Sequence, residues 1–136
     1  MNPKKVLVVD DDAVIQKVLS MRLKRAGYEV LLAEDGAAAV STARQAKPDV
    51  ILLDLGFPPD ISQGVAWDGF LILGWLRRLE EAKNTPVIVV SGDHSDTAQK
   101  RAREAGAFDF CPKPIDSTKL LAAIELALGP ALPKAA

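Results

Sequence analysis

At 136 residues the chain is the length of one ordinary domain. Nearly half its residues are hydrophobic (49%) and 26% are charged, which excludes a disordered polyelectrolyte, while an aromatic share of 5% requires an aliphatic core. Seventeen basic against eighteen acidic side chains leave a net charge of −1, without the basic footprint of a dedicated nucleic-acid binder. No apolar run approaches the ~18 residues of a membrane span. Lys4, Lys5 and the following VLVV imitate the start of a secretion signal, but Asp10, Asp11 and Asp12 cut the apolar region short. The single cysteine, Cys111, supports neither an internal disulfide nor a cysteine-rich zinc site. The expected location is the cytoplasm.

Two kinds of segment alternate along the chain. Lys5–Asp10, Glu29–Ala33, Asp49–Asp54, Pro86–Ser91 and Phe108–Cys111 are short and apolar, and three are apolar almost throughout, as in parallel strands covered on both faces. Helical spacing lies between them. Val14, Ile15, Val18, Leu19 and Leu23 form one stripe, with Asp12 as its cap and Gly27 beyond its end. Ala39, Val40 and Ala43 mark a second helix, which stops before Pro48. The third is expected from about Asp68 to Glu81, the fourth from Asp96 to Ala105. The last runs from Ser117 to Leu128, capped by Asp116 or Ser117 and stopped by Gly129-Pro130. Five strand–helix units predict a doubly wound α/β fold with five strands and five helices. The domain is expected over residues 4–128, followed by a short tail, 129–136; no segment reads as an output module.

In such a sheet the C-terminal strand ends share one edge, where ligands bind. Asp10, Asp11, Asp54 and Ser91 stand at such ends, and Lys113 follows the fifth strand. Three neighbouring carboxylates repel unless a cation neutralises them, and a hard divalent ion, Mg²⁺, suits oxygen ligands. A carboxylate is also a usable nucleophile towards phosphorus, with a hydroxyl and an ammonium at hand for phosphoryl oxygens.

With VLVVDDD (6–12), DVILLDLGFP (49–58), DGF (68–70), PVIVVSG (86–92) and GAFDFCPKP (106–114) in this order, the chain resembles the receiver domain of two-component response regulators, of the chemotaxis type. The resemblance implies a flavodoxin-like parallel sheet of order 2-1-3-4-5. It implies that Asp54 accepts a phosphoryl group from a sensor histidine kinase or histidine phosphotransfer protein. Asp11 then ligates Mg²⁺ directly and Asp10 through water, with Asp54 and the Gly56 carbonyl completing the protein ligands. Ser91 binds the phosphoryl group, Lys113 pairs with it, and the Lys113-Pro114 bond is cis. Phe110 takes the place of the aromatic switch residue, so that Ser91 and Phe110 relay the change to the surface of helix 4, strand 5 and helix 5. That surface, or helix 3, is the expected contact for a downstream protein or a second copy. Beyond self-catalysed transfer to Asp54 and its hydrolysis, no enzymatic activity is implied.

The chain departs from the family pattern after Asp54. The Asp-Gly that usually follows about eight residues on is here Asp68-Gly69, so the 55–68 loop carries about seven extra residues. The third helix, FLILGWLRRL, is apolar nearly all round. Either the enlarged loop, with Trp67, covers Leu71 and Trp75, or these residues form a protein-contact patch. Cys111 reads as a buried, inert strand residue, His94 as a loop histidine and Leu126 as an ordinary surface leucine.

Three other readings compete. Asp10-Asp11-Asp12-Ala13-Val14 also fits the D-x-D-x-[TV] motif of haloacid-dehalogenase-type phosphatases, with Asp10 as nucleophile. That reading leaves Asp54 idle and lacks an acidic pair after Lys113. A flavodoxin-like cofactor binder needs a hydroxyl- and glycine-rich loop where this chain has DDDAVIQ. A pseudo-receiver used only for protein contact has no need of the intact acids, Ser91 and Lys113.

Overall fold

The computed structural model describes residues 3–54, 69–92 and 95–128. Its elements alternate strictly: β1 (Lys5–Val9), α1 (Ala13–Arg25), β2 (Glu29–Ala33), α2 (Gly36–Ala46), β3 (Val50–Asp54), α3 (Gly69–Arg78), β4 (Val87–Ser91), α4 (Asp96–Glu104), β5 (Asp109–Pro112) and α5 (Ser117–Leu128). The five strands form one parallel sheet in the order β2-β1-β3-β4-β5. This is the doubly wound flavodoxin-like arrangement expected from the sequence.

Successive strand side chains point to opposite faces, so an apolar run feeds two cores at once. Leu7, Val9, Ile51, Leu53, Val87 and Val89 meet Ala39 and Ala43 of α2, Ile72, Leu73 and Leu76 of α3, and Ala102 of α4. The alternate residues Val6, Val8, Val50, Leu52, Ile88 and Val90 meet Leu19 and Leu23 of α1 and Leu120, Ala123 and Ile124 of α5. The central strands β3 and β4 are buried along their whole length. They are the rigid base on which Asp54 and Ser91 stand.

Side-chain caps start the helices, with Asp12 at α1 and Asp116 at α5 as the sequence indicated and Asp35 and Ser95 in addition at α2 and α4. The Asp12 carboxylate accepts from the N–H groups of Val14 and Ile15, Asp35 from Ala38, and Asp116 from Thr118 and Lys119. The Ser95 hydroxyl accepts from Ala98. Gly27 and Gly106, just beyond α1 and α4, have φ of 100° and 104°. The third helix is shorter than its apolar pattern predicts, ending at Arg78 rather than near Glu81. The Arg77 guanidinium folds over this end and donates to the carbonyls of Lys83, Ala82 and Thr85. These bonds stabilise a turn, and Leu79 and Ala82 return to the core from it.

Cys111 is buried, and burial, aided by Asp109, pushes its thiol pKa up, as suits an inert strand residue. Leu126 is exposed. On α3, Leu73 and Leu76 are fully buried, whereas Leu71 and Trp75 remain 37% and 42% exposed. Trp75 flanks a groove of about 680 Å³ whose other wall is Ala37, Val40, Ser41, Arg44 and Gln45 of α2. The enlarged 55–68 loop with Trp67, His94, and the 129–136 tail lie outside the described residues. None of the described helices is long and apolar enough to cross a membrane.

Candidate functional site

Four sequence positions far apart in the chain meet at the C-terminal edge of the sheet. Asp10 is the residue after β1, and its N–H still donates to Ala33 O at the end of β2 (3.1 Å). Its side chain turns back, Oδ1 accepting from the Asp12 N–H at 2.8 Å. Asp54 is the last residue of β3, in register with Val90, and Ser91 ends β4 in register with Pro112. Lys113 follows β5, tied by its N–H to the Ser91 carbonyl at 2.8 Å. Its Nζ reaches Asp54 Oδ2 at 3.1 Å and Asp10 Oδ2 at 3.9 Å. The Lys113-Pro114 peptide is cis.

Asp10, Asp54 and Ser91 are all at most 4% exposed, whereas Asp11 is exposed beside them. One carboxylate oxygen from each of Asp10, Asp11 and Asp54 lies within 4.8 Å of the others. Burial raises the Asp10 pKa from the ordinary 3.8 to about 6. The Asp12 N–H pulls it down, Asp54 pushes it up, Lys113 lowers it and Asp11 adds a further push. Among the described residues a single ammonium, that of Lys113, is paired with this group of three acids. Three neighbouring carboxylates, two of them buried, that offer only oxygen donors fit a hard divalent cation such as Mg²⁺.

The sequence-derived site is thus assembled in all its described members: Asp10, Asp11, Asp54, Ser91 and Lys113. Gly56 lies outside the described residues. Phe110, on β5 beside Val89, is half-buried and packs against the core shared with α3 and α4. Asp12 serves as the α1 cap. Sequence reasoning passed over Gln16, whose side-chain amide donates to the carbonyls of Asp10 and Ala33 at 2.6 and 3.2 Å. It is one of several polar residues in α1, and nothing in the sequence sets it apart.

The comparisons with known proteins agree with this geometry. Residues 6–125 match the family model of the response regulator receiver domain. The chain is 34% identical over 124 residues to protein PilH of Pseudomonas aeruginosa, covering 91% of this chain and 97% of that protein. It superposes on the chemotaxis response regulator CheY4 of Vibrio cholerae with a TM-score of 0.81 at 31% identity, covering 92% of this chain and 98% of that one. The receiver domain of the sensor histidine kinase PA1611 from Pseudomonas aeruginosa, whose crystal structure has a magnesium ion coordinated in the active site cleft, gives 0.80 at 27% identity, covering 93% and 98%. Of several transcriptional regulators among its relatives the chain spans about half the length. Receiver domains interact with histidine kinases or phosphotransfer proteins and self-catalyse phosphoryl transfer. An acid cluster, a serine and a lysine on one parallel-sheet edge, with this match over most of the chain, make it a member of the response regulator receiver domain family, the phosphoacceptor switches of two-component signalling.

Proposed function

We propose that residues 4–128 form a receiver that takes its phosphoryl group on Asp54, from the phosphohistidine of a sensor histidine kinase or histidine phosphotransfer protein, in the cytoplasm. The observation that carries this reading is the pairing of Asp54 Oδ2 with Lys113 Nζ at 3.1 Å, beside two further carboxylates and Ser91. Asp10, Asp11 and Asp54, with the Gly56 carbonyl, would hold Mg²⁺. That ion supplies charge neutralisation for the phosphoryl oxygens.

An Asp54 carboxylate oxygen attacks phosphorus, the donor's P–N bond breaks, and its electron pair leaves with the imidazole. Lys113 moves its ammonium from the carboxylate pair to the new phosphoryl oxygens, and the Ser91 hydroxyl donates to another. Ser91 movement opens room for Phe110, which packs on the same core as α3 and α4. The change then reaches the α4–β5–α5 surface, the site for a downstream protein or a second copy. Hydrolysis of the acyl phosphate resets the switch, and no separate substrate is turned over.

The test is incubation with acetyl phosphate and Mg²⁺ followed by intact-mass measurement. One labile phosphoryl group is expected on the wild type and none on Asp54→Ala. Equal labelling of Asp54→Ala would overturn the assignment.

A further inference from the structure

Gln16 is the fourth residue of α1, set one turn in by the Asp12 cap. Its Nε2 donates to the Asp10 carbonyl at 2.6 Å and to the Ala33 carbonyl at 3.2 Å. The Asp10 N–H donates to the same Ala33 carbonyl at 3.1 Å. A primary amide has two N–H donors, here matched to two carbonyls at the ends of neighbouring strands. The Asp10 carbonyl lies beyond the last residue of the β1 ladder, so the helix supplies a bond where the sheet has ended.

This bond acts on more than one carbonyl. The Asp10 C=O and the Asp11 N–H belong to one rigid peptide plane. Fixing the carbonyl therefore fixes the plane from which the Asp11 residue departs. The Asp10 side chain is held separately, through its bond from the Asp12 N–H. Asp11 itself is exposed, with no packing core around it to set its direction. Mg²⁺ demands near-octahedral geometry, so small rotations of a ligand weaken its binding.

We propose that Gln16 is a positioning residue for the cation site: it holds the Asp10–Asp11 peptide plane and so aims the Asp11 carboxylate. The inference rests on the cation site of the proposed function. Gln16 touches neither the cation nor the phosphoryl group. Its effect is on the affinity for the ion rather than on the transfer step once the ion is bound.

The experiment is calorimetric titration of the full chain with Mg²⁺, paired with acetyl phosphate labelling rates over a range of Mg²⁺ concentrations. Gln16→Met keeps the side-chain length and removes both donors; Gln16→Asn keeps the amide but withdraws it by one methylene. Each is expected to bind Mg²⁺ about ten-fold more weakly, the usual scale for losing a group that orients a metal ligand. Labelling should recover to the wild-type rate at saturating Mg²⁺. Val30→Ala, on β2 away from the site edge, serves as the comparison for a general loss of stability and should leave the Mg²⁺ affinity unchanged. Wild-type affinity in both folded Gln16 variants, or an equal loss in Val30→Ala, overturns the proposal; Gln16→Asn carries the test if Gln16→Met does not fold. A wild-type chain that binds no Mg²⁺ overturns the cation site itself, a result separate from any difference among variants.

Discussion

Lys113 faces Asp54 with its ammonium at 3.1 Å while its own N–H is anchored to the carbonyl of Ser91. The chain after β5 is thereby fixed to β4 and the side chain is left to bridge to β3. The ammonium competes with any cation for the same carboxylates. Lys113→Met is expected to bind Mg²⁺ several-fold more tightly, because a neighbouring positive charge is removed. It should also accept a phosphoryl group at least about ten-fold more slowly, because the charge on the transferring group loses a partner. Calorimetry and labelling on the same preparation check the two opposite signs.

The raised pKa of Asp10 gives a pH dependence of defined sign. The metal-free folded state holds this proton more tightly than the unfolded chain, from pH 3.8 up to about 6. Its contribution to stability is therefore present at low pH and lost as pH rises through about 6. At pH 7.5 the buried charge costs roughly 2–3 kcal/mol. Metal-free Asp10→Asn is expected to exceed the wild type by that amount at pH 7.5, with the gap nearly closed at pH 4, in urea unfolding. Protons and Mg²⁺ compete for the same carboxylate, so wild-type Mg²⁺ affinity should climb through pH 6 and level above 7.

Much of the site was legible because the fold class alone determines where strand ends go. With the apolar runs as parallel strands, Asp10, Asp54, Ser91 and Lys113 have to share an edge, and there Lys113 pairs with both Asp10 and Asp54 while its N–H donates to the Ser91 carbonyl. Gln16 and Arg77 were not legible. Each bonds main-chain carbonyls whose positions depend on how a helix sits on the sheet, and a carbonyl has no sequence signature. The early end of α3 has the same origin: the apolar pattern continues through Leu79, but Arg77 bonds the turn and Leu79 packs from outside the helix.

Arg77 and Gly106 form a second testable contact. Gly106 has φ of 104°, and a Cβ there would stand 2.8 Å from Arg77 Cδ and 3.2 Å from Cγ. Gly106→Ala is expected to cost about 2 kcal/mol or more, from backbone strain plus displacement of the arginine stem. Arg77→Ala should cost about 2–3 kcal/mol through lost bonds to the α3–β4 turn. The double variant should lose less than the two singles together, because the steric part of the glycine effect falls away with the arginine. Thermal and urea unfolding measure all three.

Trp75 is 42% exposed beside the α2–α3 groove. A fully buried aromatic typically loses about 3–5 kcal/mol on truncation to alanine. At this exposure Trp75→Ala is expected to lose about 1–2 kcal/mol in proportion to the smaller apolar area it covers. A loss in the fully buried range would mean that the side chain is covered in solution. Sedimentation of the same variant tests whether the α3 face also supports self-association.

The phosphoryl group is expected on a carboxylate oxygen of Asp54, and locating it chemically tests this most directly. Borohydride reduces an acyl phosphate on aspartate to homoserine, so a reduced, digested and sequenced sample reports the position that carried it. The expected result, after acetyl phosphate and Mg²⁺, is homoserine at position 54 alone. Homoserine at position 10, with position 54 intact, would contradict the account and favour a phosphatase-like chemistry built on Asp10.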